Sequence, residues 1–164
     1  MFLWPQERRG KPTQSIEDYV LGSGDDGGRV NEGSGLVQRS VYHFYLAHWL
    51  RHFPLRQFHF VSGEQLVKDP VSELRQVESF LGLPARLGRH LIYFNVTRGF
   101  YCMRQSENGI KKEGGATEKC LASSKGRTHT KVSQETQAKL RIHFRPHNER
   151  FYSMVGRDFG WAKS

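Results

Sequence analysis

Apolar residues recur with helical spacing between Val37 and Phe53, where they would form one stripe along a helix: Tyr42, Leu46, Trp49, Leu50 and Phe53. Pro54 follows and ends the predicted helix. The preceding residues 1–35 are mostly polar and rich in glycine, and only residues 16–21 favour one or two helical turns. The first third of the chain therefore predicts one short and one longer helix.

The middle of the chain predicts a strand followed by a helix. Residues 57–62 form a short aromatic and β-branched run, which is typical of a buried strand. Asp69 followed by Pro70 favours a helix start, because the carboxylate can cap the helix and proline fits its first position. The apolar face of this helix would end at Gly82 and contain Val71, Leu74, Val77, Phe80 and Leu81. A strand, a loop and a helix in this order suit an α/β layer.

Short strands and then two helices are predicted after residue 90. Three runs predict a small antiparallel sheet: residues 92–95, 99–102 and 119–121. Ser133 can cap a helix that extends to about Arg145, where Pro146 would interrupt it. A last helix over residues 148–155 would end at Gly156.

Two features bear on the cellular compartment. The spacing of Cys102 and Cys120 alone leaves a disulfide and two free thiols open. A disulfide closing a loop of this length would contribute about 3 kcal/mol and would imply an oxidising compartment. The sequence Asn95-Val96-Thr97 is a glycosylation sequon, which matters only if the chain enters the secretory pathway.

Composition adds an electrostatic preference to this picture. The chain has 164 residues, which predicts one domain, and 37% of them are hydrophobic while 12% are aromatic, which predicts a modest core rich in rings. Its formal net charge is +9, and residues 98–164 carry 14 basic and 6 acidic side chains. This excess favours a polyanionic partner. The sequence predicts neither a membrane span nor a signal peptide.

The strongest local signal for chemistry is the segment Ser123–His129. Gly126 lies between Lys125 and Arg127, so backbone N–H groups could approach a phosphate while the two cations bind it. A solvated basic loop is the alternative. Tyr101 precedes Cys102, and its ring could stack on a base, although an ordinary sheet tyrosine is equally compatible with the sequence.

Metal and nucleic-acid sites are not predicted. His143 and His147 have helical spacing, but Pro146 would break the helix between them and no third ligand stands at a familiar interval. Three other histidines would lie at the surface or boundary of a helix: His43, His48 and His52. The basic C-terminal part could hold phosphates and bases, but it contains no RNP-like strand, zinc finger or helix-turn-helix pattern.

A series of short motifs resembles the heparan sulfate glucosamine 3-O-sulfotransferases in order and approximate spacing. These motifs are Gln38–Tyr42, Trp49–Arg56, Ser62–Leu66, Asp69–Pro70, Phe80–Leu83, Phe94–Asn95, Gly99–Cys102, Cys120–Leu121, Ser124–His129, Phe151–Tyr152 and Gly156–Trp161. The resemblance covers residues 16–161 and is to the C-terminal half of those Golgi enzymes. It predicts a partial sulfotransferase domain over 16–161 and a non-matching segment over 1–15.

The resemblance implies an α/β fold like that of P-loop nucleotide kinases, with a parallel sheet and a small antiparallel sheet pinned by a Cys102–Cys120 disulfide. It implies 3′-phosphoadenosine 5′-phosphosulfate as co-substrate, adenosine 3′,5′-bisphosphate and heparan sulfate or heparin as partners, and the Golgi lumen as location. Tyr101 would contact the donor. The adenosine 3′-phosphate end would be held by Lys125, Gly126, Arg127, Thr128 and His129. The resemblance adds no metal and no nucleic-acid partner.

The sequence differs from the family's pattern in the motifs that carry catalysis. The family's N-terminal phosphate-loop portion, with its lysine and the catalytic glutamate that follows, has no match in this sequence, so no catalytic residue is identifiable. Glu64 could replace the base because it follows the predicted strand, but a structural role in capping or pairing is favoured at least as much. The expectation is a heparan sulfate glucosamine 3-O-sulfotransferase that is impaired in this chain. The alternative is a non-catalytic module that binds heparin or another polyanion.

Overall fold

The computed structural model describes residues 15–22, 28–104, 118–120 and 131–161. Its α-helices and strands over these residues are α1 Ile16–Val20, α2 Gly35–Arg39, α3 Tyr42–Trp49, α4 Gly63–Lys68, α5 Pro70–Phe80, β1 Ile92–Asn95, β2 Phe100–Arg104, β3 Glu118–Lys119 and α6 Gln134–Val155. The chain divides into two compact units, Met1–Leu55 with Thr130–Ser164, and Arg56–His129.

The predicted short helix at residues 16–21 is confirmed as α1. Ser15 Oγ accepts a hydrogen bond from the N–H of Asp18 at 3.0 Å, and the Asp18 carboxylate accepts one from the N–H of Ser15 at 3.2 Å. This reciprocal pair satisfies two N–H groups that a helix start leaves unbonded. The carboxylate of Glu17 accepts a further bond from the N–H of Ser133 at 2.7 Å, which ties α1 to the start of α6.

The single helix predicted from Val37 to Phe53 is wrong, because the chain forms α2 and α3 with a break at Ser40 and Val41. Ser40 Oγ donates to the carbonyl of Leu36 at 3.0 Å, and Val41 leaves the helical conformation with a ψ of 72°. Serine and valine are both weak helix formers in such positions.

The apolar stripe predicted for this stretch is also only partly buried. Leu46 is buried, whereas the exposed fractions of Tyr42, Trp49 and Phe53 are 46%, 57% and 43%.

Two helices predicted around Pro146 are in fact one, α6. Proline lacks the N–H that a helix interior uses and normally kinks or breaks it. Pro146 is exposed in this helix, so water can reach the carbonyl that the proline leaves unbonded. The predicted ends are confirmed: Ser133 Oγ accepts from the N–H of Thr136 at 3.2 Å, and Gly156 has a φ of 68°.

Aromatic rings build the core of the unit that contains α6. Phe151 is buried, and its ring centroid lies 5.8 Å from those of both Tyr42 and Trp161. Trp161 also stacks on Phe159 at 5.0 Å, and its backbone N–H donates to the hydroxyl of Tyr152 at 3.2 Å. The rings therefore join α3, α6 and the segment that follows α6.

In the other unit, the strand predicted at residues 57–62 is wrong. A strand needs a neighbour for its backbone groups, and none of the described strands pairs with this segment. The N–H of Ser62 instead donates to Glu73 Oε2 at 3.1 Å. Gln57 ends a short 3-10 helix, Leu55–Gln57, and residues 58–62 form an irregular connection to α4.

The helix start predicted at Asp69 and Pro70 is confirmed as the start of α5. Asp69 Oδ1 accepts from the N–H of Ser72 at 3.3 Å, and proline occupies the first turn. The helix ends before Gly82, whose φ of 65° suits glycine.

The small antiparallel sheet is confirmed, in the order β1–β2–β3. Tyr93 pairs with Cys102 and Phe94 with Tyr101, while Met103 pairs with Lys119. All strand pairs among the described residues are antiparallel, so the parallel sheet that the resemblance implies has no strand pair in this part of the chain. The observed fold is a mixture of helices with one small sheet.

Candidate functional site

The candidate site is built on β2, where Tyr101 and Cys102 point to opposite faces of the sheet. Cys102 is buried, and its sulfur forms a disulfide with Cys120, with the two Cα atoms 4.5 Å apart. Cys120 lies three residues before Ser123–His129, the segment that contains the predicted phosphate-binding residues and that we call the basic segment. The disulfide thus fixes Cys120 beside the strand of Tyr101.

Tyr101 is half-buried, and its hydroxyl donates to the carbonyl of Lys68 at 3.1 Å. Its ring meets the ring of Phe94 edge to face, with centroids 5.3 Å apart. The bond to Lys68 fixes the hydroxyl end, so the ring is the part of Tyr101 that suits contact with a ligand.

Phe94 lies beside Tyr101 on the same face of the sheet, which was not predicted from the sequence. Phe94 is half exposed, at 50%, and it is the register partner of Tyr101 across the sheet. Exposed aromatic rings of this kind can stack on a nucleobase. The pairing of two antiparallel strands could have revealed it, because opposite residues lie on the same face.

Five residues predicted to hold the adenosine 3′-phosphate end lie outside the described residues: Lys125, Gly126, Arg127, Thr128 and His129. Their role stays a prediction.

Asn95, the predicted glycosylation site, lies against the disulfide. Its Oδ1 accepts from the N–H of Arg98 at 3.0 Å, and its Nδ2 lies 4.0 Å from Cys120 Sγ. The side chain is half-buried at the end of β1, and the attachment of a glycan stays a prediction.

Glu64 lies in the first turn of α4 rather than at the end of a strand. Its Oε2 accepts from the hydroxyl of Ser62 at 3.3 Å, and that same hydroxyl oxygen accepts from the N–H of Gln65 at 3.2 Å. This arrangement caps the helix, which favours the structural role for Glu64 over that of a base.

Three histidines lie together between α3 and α6. His43 Nε2 and His147 Nδ1 are 3.0 Å apart, and the ring centroids of His143 and His147 are 5.4 Å apart. Burial lowers the pKa of His43 and of His143, and the nearby His147 lowers both further. Glu32 acts in the opposite direction on the pKa of His143, with 3.9 Å between its Oε1 and the imidazole Nδ1.

The described residues contain neither a metal-ligand cluster nor a helix suited to a bilayer. No group of three or more histidine, cysteine, aspartate or glutamate side chains in this part of the chain is arranged to hold a metal ion. None of the described helices has the length and apolar character needed to cross a bilayer.

Residues 29–152 match the model of the sulfotransferase domain family. Because this match covers most of the chain, the protein belongs to the sulfotransferase family.

Three relatives of this chain are heparan sulfate glucosamine 3-O-sulfotransferases. Heparan sulfate glucosamine 3-O-sulfotransferase 3B1 of Homo sapiens is 44% identical over 134 residues, which are 82% of this chain and 33% of the relative. Heparan sulfate glucosamine 3-O-sulfotransferase 6 of Homo sapiens is 45% identical over 135 residues, 82% of this chain and 38% of the relative. Heparan sulfate glucosamine 3-O-sulfotransferase 5 of Mus musculus is 40% identical over 156 residues, 95% of this chain and 42% of the relative. The chain thus spans 33–42% of these relatives.

Proposed function

We propose that residues 16–161 form part of a heparan sulfate glucosamine 3-O-sulfotransferase and bind the adenosine 3′-phosphate end of 3′-phosphoadenosine 5′-phosphosulfate. The observation that carries this proposal is the Cys102–Cys120 disulfide, which joins the strand of Tyr101 to Cys120, three residues before the basic segment. The family match and the similarity to these relatives support the same assignment. A kinase-like fold with a parallel sheet, and residence in the Golgi lumen, are parts of this proposal.

The donor would bind through two kinds of contact. Lys125 and Arg127 would form charge-assisted hydrogen bonds to the 3′-phosphate, and Gly126 would let backbone N–H groups approach it. The rings of Tyr101 and Phe94 would lie against adenine, which their partial exposure supports. The donor, when bound, supplies the sulfuryl group.

The chemical step makes two demands on an enzyme. A general base must remove the proton of the glucosamine 3-hydroxyl, and hydrogen-bond donors must stabilise charge on the oxygen that leaves with the adenosine bisphosphate. The sequence has no match to the family's catalytic glutamate or phosphate-loop lysine. We therefore propose that the chain binds the donor and attracts the anionic glycan through its basic C-terminal part, but is impaired in transfer.

Nucleotide selectivity tests this proposal. Adenosine 3′,5′-bisphosphate should displace a fluorescent analogue at least about tenfold better than adenosine 5′-monophosphate, because only the bisphosphate has the 3′-phosphate that receives charge-assisted bonds. The double variant Lys125→Ala with Arg127→Ala should bind both nucleotides equally weakly. Lys111→Ala with Lys112→Ala removes the same charge from the same half of the chain and should keep the preference.

The alternative, a module that binds polyanions through diffuse charge, makes the opposite prediction. Such a module would show no nucleotide preference in the unmodified chain. Its affinity for heparin would fall with salt in the same way in both double variants. That combination would reject the sulfotransferase assignment of the basic segment.

A further inference from the structure

A polar groove lies along one face of α5, in the unit that contains the sheet. Its volume is about 420 Å³, and its polar lining residues are Asp69, Ser72, Arg75, Gln76, Ser79 and Arg89. Ser72, Arg75, Gln76 and Ser79 follow the three- and four-residue spacing of one helix face. Residues with hydroxyl, amide and guanidinium side chains thus follow one another along the groove, beside Val71.

Arg75 is held in place within this groove. Its Nε donates to the carbonyl of Leu87 at 2.9 Å, which leaves the terminal nitrogens of the guanidinium for other acceptors. Gly88 lies beside this guanidinium, because a Cβ built there would lie 3.5 Å from Arg75 Nη2, at ordinary van der Waals distance. The arginine that faces the groove is therefore partly pre-organised.

The two arginines of the groove have no acidic partner among the described residues. No carboxylate in this part of the chain lies within 4.0 Å of the Arg75 or Arg89 guanidinium. The two buried glutamates of α5 accept backbone N–H groups instead. Asp69 also lines the groove, but its Oδ1 accepts from the N–H of Ser72 in the first turn of the helix. The positive charge is thus concentrated at Arg75 and Arg89.

We propose that this groove binds sulfate groups of an anionic saccharide, as a contact site for the glycan in addition to the basic segment. The inference deepens the proposed function and rests on it for the identity of the polysaccharide. Arg75 and Arg89 bind sulfate oxygens through charge-assisted hydrogen bonds. Ser72, Gln76 and Ser79 supply neutral partners for sugar hydroxyls.

The groove's shape and charge favour an extended sulfated sugar chain over a small anion. Ser72 and Ser79 are seven residues apart on the helix, which places them about 10 Å apart along its axis. A single inorganic sulfate would contact only part of this row. Asp69 disfavours an anion at its own end of the groove, which directs the sulfate groups to the arginines.

Calorimetric titration of the full chain with a size-defined, fully sulfated heparin octasaccharide tests the proposal. Arg75→Gln with Arg89→Gln should weaken binding about tenfold, which corresponds to the loss of two charge-assisted contacts near a surface. Arg56→Gln with Arg86→Gln removes two exposed charges from the same unit without touching the groove, and should weaken binding less than about twofold. Circular dichroism and a thermal melt of each variant verify folding.

Two further measurements test whether Arg89 contributes by itself and whether binding depends on sulfate groups. Arg89→Gln alone keeps the Arg75–Leu87 bond and should weaken octasaccharide binding about threefold, so the test does not depend on the double variant. A desulfated, N-acetylated octasaccharide should bind all variants equally. Equal losses in both double variants, no loss in either, or equal losses with the desulfated sugar would overturn the groove as a sulfate site.

Failure of this inference is distinguishable from failure of the proposed function. The groove variant should keep its preference for adenosine 3′,5′-bisphosphate over adenosine 5′-monophosphate. If the unmodified chain lacks that preference but the groove variant loses octasaccharide binding, the proposed donor site fails and the saccharide site stands. If the preference is present and the groove variant binds the octasaccharide normally, only the groove inference fails.

Discussion

Glu73 and Glu78 lie on the buried side of α5, where backbone N–H groups replace water as partners of their carboxylates. Glu73 accepts from Ser62 at 3.1 Å, and Glu78 Oε1 accepts from Arg86 and Leu87 at 2.9 Å each. A buried carboxylate without such bonds would destabilise the folded state. These two residues therefore hold the segments before α4 and after α5 against the helix.

The histidines between α3 and α6 predict a dependence of stability on pH. The pKa of His43 is lowered from its ordinary value of 6.5 by burial, then by His147 and Arg150. The unfolded state therefore binds more protons as the pH falls through 6.5, and the free energy of unfolding decreases on acidification. His143 contributes in the same direction, because its pKa is also lowered.

Urea denaturation between about pH 7.5 and about pH 5.5 measures this effect. His43→Gln removes one of the titrating rings, so its free energy of unfolding should fall less steeply with acidification than that of the unmodified chain. His52→Gln, at an exposed position, should retain the original slope. Stability that rises on acidification, or equal slopes in the two variants, would contradict the assignment.

Among the helices, α6 is the one whose length the sequence predicted least well. Pro146 indicated a break by the general rule, but contacts hold α6 on both sides of the proline. Before it, the N–H of Ser133 donates to Glu17, and His143 Nδ1 lies 3.9 Å from Glu32 Oε1. After it, His147 and Phe151 pack against His43 and Tyr42 of α3. Conversely, the apolar stripe before Phe53 indicated one helix, and the local bond from Ser40 to Leu36 ends α2 early. Propensity and periodicity indicated where these helices lie, but they could not predict helix lengths, which depend on tertiary packing.

Pro146→Ala should stabilise the protein. Alanine restores a backbone N–H in the middle of α6 and removes the ring that conflicts with the preceding turn. We expect the free energy of unfolding to rise by about 1–2 kcal/mol, which is less than the full helix penalty of proline because the unfolded chain also gains freedom.

Chemical denaturation of Pro146→Ala tests this value, with Ala138→Gly on the same helix as a control that should lose about 1 kcal/mol. A loss of stability in Pro146→Ala would mean that the packing of α6 requires a proline-bent helix.

At the scale of the molecule, the sequence predicted some features of the candidate site and not others. The small sheet and the Cys102–Cys120 pairing implied by the resemblance agree with the structure, since local strand patterns and the resemblance were sufficient for them. The position of Phe94 beside Tyr101 was not predicted, because it depends on the register across β1 and β2. The prediction of a strand at residues 57–62 was wrong, because a strand depends on a neighbouring strand that the local sequence does not reveal.

A polypeptide of these 164 residues should transfer sulfate far more slowly than the longer relatives. Removing one preorganised group that stabilises developing charge typically lowers a rate about 100- to 1000-fold, and the sequence matches neither the family's phosphate-loop lysine nor its catalytic glutamate. Incubation with labelled donor and heparan sulfate, followed by digestion to disaccharides, measures 3-O-sulfated product, with heparan sulfate glucosamine 3-O-sulfotransferase 3B1 of Homo sapiens as the control. Product formed at a comparable rate would mean that other residues of this chain supply the base and the charge stabilisation.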